Sequence, residues 1–133
     1  MTSTTRHLGE RVARSADEAY AFAADPANLP RWSSGLGSAI EQIDGEWFIA
    51  SPEGRLRFEF VPRNDLGVLD HRVTFPSGDT FYNPMRVVPY DDGCEITFAV
   101  RRFGDVSDAD FERDVAAVAA DLARLKEVLE AGA

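Results

Sequence analysis

Two periodicities divide the chain. Over residues 38 to 102 apolar and polar positions alternate in short runs, whereas beyond Ser107 the apolar positions recur at spacings of four and three. In the first region Leu56, Phe58 and Phe60 oppose Arg55, Arg57 and Glu59, and Cys94, Ile96, Phe98 and Val100 oppose Glu95, Thr97 and Arg101, as strands with one buried and one wetted face require. Turn signals at Asp44-Gly45, Pro52-Glu53-Gly54, Asn64 to Gly67, Pro76-Ser77-Gly78 and Asp91-Asp92-Gly93 separate six strands, near residues 38–43, 46–51, 55–62, 67–75, 80–89 and 93–102. Connections this short leave antiparallel pairing, because a parallel neighbour needs a long crossover. A seventh strand is expected at residues 6–14, with Leu8 and Val12 in one phase and Arg11 in the other.

The helices are marked by their ends. Ser15-Ala16-Asp17-Glu18 has capping-box spacing and starts a helix that continues through Tyr20 and Phe22 to Pro26. Asp25 then caps a new turn with Pro26 in its first position, and Pro30 biases Leu29 away from helix, so the segment that delivers Trp32 is about one turn long. Ser107 caps the last helix, Asp108 and Asp110 favour the positive end of its dipole, and Phe111, Val115, Val118, Leu122, Leu125 and Leu129 form one apolar stripe before Gly132. A sheet with one apolar face and a helix with one apolar stripe must bury them against each other. The expected fold class is α+β: a strongly bent seven-stranded antiparallel sheet gripping a long C-terminal helix, with two short helices between strands one and two.

Composition adds limits. The 133 residues fit one domain spanning 1–133, and 44% hydrophobic with 28% charged residues is ordinary for a globular chain. No apolar run approaches the roughly 18 residues a membrane span needs. The formal net charge of −9 opposes nucleic-acid binding. One cysteine, Cys94, cannot form an internal disulfide, and the N-terminal residues lack the apolar core of a secretory signal, so a cytoplasmic monomer or homodimer is expected. Metal-ligand spacings, phosphate-binding loops and a nucleophile elbow are absent from the sequence, so no cofactor or metal is expected.

The order of elements, with Ala16-Asp17-Glu18-Ala19-Tyr20-Ala21-Phe22 leading into Asp25-Pro26-Ala27-Asn28-Leu29-Pro30-Arg31-Trp32, then Asn64 to Val73, Asn83-Pro84-Met85-Arg86-Val87-Val88-Pro89 and the last helix, resembles the START/SRPBCC superfamily of helix-grip proteins. It is most similar to the small bacterial polyketide cyclase-like branch, and the resemblance covers essentially the whole chain. It implies a cavity between sheet and last helix that takes a small hydrophobic or amphipathic molecule, such as a lipid, polyketide or aromatic metabolite.

Within that frame several residues carry candidate chemistry. His71 shares a strand face with Leu69, Val73 and Phe75, where an imidazole can serve as general acid or base. The alternatives are a structural histidine satisfied by one local hydrogen bond, or one facing outward. Asn83 stands in phase with Phe81, Met85 and Val87 and either orients a ligand's polar group or starts a bulge before Pro84. Trp32, Trp47 or Phe48, Phe58, Met85 and Phe98 are expected to line the cavity, though core packing accounts for each of them too. Glu10 is in phase with Leu8 and Val12, either buried as a proton-transfer group or reaching solvent near a strand end; Asp114 and Asp121 read as the wetted margin of the last helix. Three functions compete: hydrophobic-ligand binding, a cyclase, aromatase or dehydratase using His71 and Asn83, and a protein-interaction module using the charged outer face.

Overall fold

A computed structural model describes residues 4–33, 40–51 and 54–132. Strand β1 (Thr5–Val12) is followed by α1 (Ala16–Ala23), a 3-10 turn (Pro26–Asn28) and α2 (Leu29–Trp32). Seven strands then run as β2 (Ile40–Ile43), β3 (Glu46–Ser51), β4 (Gly54–Phe60), β5 (His71–Thr74), β6 (Thr80–Asn83), β7 (Met85–Tyr90) and β8 (Gly93–Arg101), and α3 (Asp108–Glu130) closes the chain.

Every pairing is antiparallel, but the strands form two sheets rather than one of seven strands: β1-β8-β7 and β2-β3-β4-β5-β6. The single strand expected over 80–89 is cut at Pro84. With no N–H to give, Pro84 ends the ladder in which Asn83 faces His71, and the chain re-enters a different ladder in which Met85 faces Phe98. The expected strand over 67–75 is also shortened, to His71–Thr74. Its first residues are held instead by Asn64, whose Oδ1 accepts from the N–H of Leu66 and Val68 and whose Nδ2 donates to the carbonyls of Pro62 and Val68. The side chain adds to a short antiparallel pairing with β7, in which the Leu69 N–H donates to the Met85 carbonyl and the Val87 N–H to the Gly67 carbonyl, both at 2.8 Å. The expected turn at residues 52–53 and the start of the strand at 38–39 lie outside the described residues.

The corner at Pro84 is fastened by Asp70. Its carboxylate, on a residue only 3% exposed, accepts from the Tyr82 hydroxyl at 2.7 Å, the Met85 N–H at 2.9 Å, and Arg86 Nε and Nη2 at 3.1 and 3.0 Å. Burial alone would raise the Asp70 pKa; hydrogen bonds from Arg86, Tyr82 and Met85 outweigh it and hold the group at about 2. One position before His71, Asp70 falls on the opposite, outer face of the sheet, where Tyr82 and Arg86 cover it.

Both capped helices form as their ends dictate. Ser15 Oγ accepts from the Glu18 N–H, and Ser107 Oγ from the Asp110 N–H at 3.1 Å. The far end of α3 is stapled to β1, where Lys126 Nζ donates to the Arg11 carbonyl at 2.6 Å and the Ala13 N–H donates to Glu130 at 2.8 Å. Between its ends α3 buries Leu122, Leu125 and Leu129 in the main core with Val12, Ile49, Leu56, Met85 and Ile96. Phe111 and Val115 bury themselves in a separate, smaller cluster with Val100.

Candidate functional site

The division of the core is what makes room for a site. Beside the two clusters α3 borders the sheet with Asp114, Ala117 and Asp121 around Val118, so polar or small side chains flank the stripe there and Asp114 and Ala117 stay exposed. The space left over is a cavity of about 280 Å³. Its other walls are Phe58 from β4, His71 from β5, Asn83 from β6, and Phe98, Val100 and Arg101 from β8, with Phe103 just beyond. Leu29, Trp32 and Ser33 close one side.

His71 is the polar centre of this space. It is 5% exposed and stacks on Phe58 with ring centroids 5.0 Å apart, while Phe60 and Phe98 meet it edge-on at 5.6 and 5.7 Å. Its Nδ1 lies 3.0 Å from the Leu69 carbonyl, which can only accept, so Nδ1 carries the proton and Nε2 is left as an acceptor. Burial lowers the His71 pKa, opposed by the Leu69 hydrogen bond and the charge of Asp70, so the ring is neutral near pH 7. Asn83 stands opposite His71 in the β5–β6 ladder, which puts the two side chains side by side on the cavity wall.

Trp32 forms the thinnest wall. It lines the cavity and also an outer cleft shared with Pro30, Arg31, Ala120, Asp121 and Arg124. The ring is 6% exposed, and its Nε1 has no hydrogen-bond partner, a penalty of about 1–3 kcal/mol for a buried donor. The turn that carries it forms because the Asp25 carboxylate caps the Ala27 N–H at 3.0 Å ahead of the two prolines.

Five residues singled out in the sequence thus meet around one space: Trp32, Phe58, His71, Asn83 and Phe98. Four others are placed elsewhere. Met85 faces inward but is packed into the core at 1% exposure, because the strand turns at Pro84 and carries it past the cavity. Trp47 lines a different surface hollow with Tyr20, Pro26 and Arg57. Phe48, opposite Glu41 and Arg57, takes the outer face, since Ile49 is the buried phase of β3. Glu10 is partly buried in phase with Leu8 and Val12 and is absent from the cavity wall. Asp114 and Asp121, read as a wetted margin, border the cavity, as do Arg101 and Phe103. Their signal was the break in large apolar residues between Val115 and Leu122. The larger hollow beside α1, about 490 Å³, mixes Asp17, Arg63, Asn64 and Asp65 with Ala21, Leu66, Val87 and Pro89, a less apolar lining than that of the space around His71.

An antiparallel sheet folded round one long helix, with a hollow between them, defines a helix-grip protein. The chain belongs to the family described as polyketide cyclase / dehydrase and lipid transport, whose profile matches residues 3–130, within the START/SRPBCC superfamily. No curated protein matches the sequence. Among solved structures, the Aha1 dimer from Colwellia psychrerythraea is similar over 99% of this chain and 98% of its own, at 14% identity and a TM-score of 0.73. Norcoclaurine synthase from Thalictrum flavum, in complex with dopamine and hydroxybenzaldehyde, is similar over 99% of this chain and 89% of its own, at 17% identity and a TM-score of 0.66. An uncharacterised protein from Bacillus thuringiensis, at 14% identity, covers 96% of this chain and 98% of its own, with a TM-score of 0.70. Identities this low establish a common fold.

Proposed function

We propose that this protein binds a small hydrophobic or amphipathic molecule in the cavity between the sheet and α3. The observation that carries this is the half-open, mostly apolar space of about 280 Å³ that lies where the core divides in two. A dry pocket of about 150 Å³ accepts one benzene ring, so this one has room for roughly two. The family description, with its lipid-transport and cyclase members, agrees with such a ligand. The outer sheet face supports it from the other direction: Arg55 pairs with Glu41 at 3.1 Å and Arg57 with Glu46 at 2.7 Å, which favours a solvated surface over a docking one.

Trp47→Phe leaves Trp32 as the single indole and turns it into a reporter for the cavity wall. Titration of that variant with naphthalene, short-chain lipids and polyketide-like aromatics should quench or shift Trp32 emission and raise the melting temperature with ligand concentration. If no member of the panel does either, the binding reading is wrong.

An enzymatic reading has one specific observation in its favour. A neutral imidazole with an open Nε2 stands beside the Asn83 amide on the wall of a half-open, mostly apolar space, a pairing that suits proton removal next to a held carbonyl. In this reading His71→Ala abolishes turnover of a cyclising or dehydrating substrate while leaving its binding measurable. Undiminished turnover in that variant would rule the reading out.

A further inference from the structure

We propose that the occupant of the cavity is an uncharged aromatic alcohol of one or two rings that donates its hydroxyl hydrogen to Nε2 of His71. This rests on the binding reading above and narrows it to a class. Size gives the first limit, since about 280 Å³ is less than twice the space that takes a single benzene. The walls give the second. Phe58 and Phe98 contact both the imidazole and the cavity, so a flat ring entering beside His71 meets aromatic faces and edges.

The tautomer of His71 supplies the selective element. Nδ1–H is committed to the Leu69 carbonyl, and the three surrounding phenylalanine rings hold the imidazole in that orientation. Nε2 therefore offers a lone pair and nothing else. A ligand hydroxyl completes it; a ketone or ether placed at Nε2 presents a lone pair against a lone pair there and must turn to the Asn83 amide for a donor. A carboxylate has the same mismatch at Nε2 and meets Asp114 and Asp121 as well as Arg101 at the cavity margin, on a chain of net charge −9. An ammonium group could donate, and Asp114 and Asp121 border the cavity, but beside Nε2 it would lose its hydration among Phe58, Phe60 and Phe98. A neutral hydroxyl on an aromatic ring avoids each of these costs.

The test is calorimetric titration of the full chain near pH 7 with naphthol, methoxynaphthalene, naphthalene and naphthoate. Naphthol should bind about tenfold tighter than methoxynaphthalene or naphthalene, the worth of one well-placed hydrogen bond to a buried acceptor, with naphthoate the weakest. His71→Phe should erase the naphthol preference, so that naphthol and methoxynaphthalene bind that variant alike. Equal affinities for naphthol and methoxynaphthalene overturn the hydroxyl assignment and leave the binding reading standing. Tightest binding of naphthoate also overturns it. Absence of binding by all four compounds overturns both. Should His71→Phe fail to fold, the naphthol and methoxynaphthalene comparison on the parent protein decides by itself.

Discussion

Replacing Asp70 with asparagine removes one charge while keeping the shape of the side chain, so it isolates the electrostatic share of the corner at Pro84. The carboxylate receives four hydrogen bonds, two of them from a guanidinium that is itself 48% exposed. Folded, it titrates at about 2 against an ordinary value of 3.8. That difference corresponds to about 2 kcal/mol of stability at neutral pH. Because the folded pKa is the lower one, the contribution is complete above about pH 5 and is lost as pH falls through 3.8 toward 2. At pH 3 roughly 1 kcal/mol of it should already be gone. Urea denaturation of parent and Asp70→Asn at a series of pH values gives the difference directly, and the other carboxylates cancel because both proteins carry them. Asp70→Asn should be less stable by about 2 kcal/mol at pH 7, with the gap closing by about half at pH 3. A gap independent of pH, or one below about 0.5 kcal/mol at pH 7, would falsify the account of the corner given above.

Other substitutions test other parts of the fold. Gly67→Ala should cost about 3 kcal/mol or more by urea midpoint, because Gly67 has φ +73° and an added Cβ would stand 2.1 Å from the Val87 carbonyl oxygen; a loss near zero would mean that the loop moves away freely. Ser107→Ala should cost about 1 kcal/mol through loss of the α3 cap, and Ser107→Asp should restore most of it, so equal losses in the two variants would argue against capping. Stability should fall as pH drops through the ordinary histidine value of 6.5, because the unfolded chain takes up a proton that buried His71 refuses; His71→Phe should flatten this part of the profile, and an unchanged slope would assign it to other groups.

The parts of the fold legible in the sequence were those with local causes. The Ser15 and Ser107 caps, the Asp25-Pro26 turn and the α3 stripe each follow from residues within a few positions of one another. Strand faces were legible from alternation, which correctly set Leu56, Phe58, Cys94 and Ile96 inward. Alternation does not say what lies over a face. Asp70 points away from the helix as its phase requires, yet Tyr82 and Arg86, more than ten residues further on, enclose it. The split of the 80–89 strand had its cause in plain view at Pro84, but which ladder each half joins depends on β5 and β8, which are far apart in sequence. For the cavity, the lining residues Trp32, Phe58, His71, Asn83 and Phe98 could be named one by one from facing. Empty space could not, because a void depends on side chains from several elements failing to meet, and Ala117 on α3 only becomes a gap opposite Phe98 and Val100.

The Pro84 corner also separates two properties that are usually tied together. His71 and Asn83 belong to one ladder and Phe98 and Val100 to the other, so the angle between the sheets sets how far the imidazole stands from the wall facing it. Tyr82 and Arg86, which hold Asp70 at the corner, brace that angle and are not among the residues that line the hollow. Width and chemistry can therefore drift independently in descendants of this sequence. A change at Tyr82 or Arg86 retunes the size of molecule admitted, while the groups that greet it stay the same.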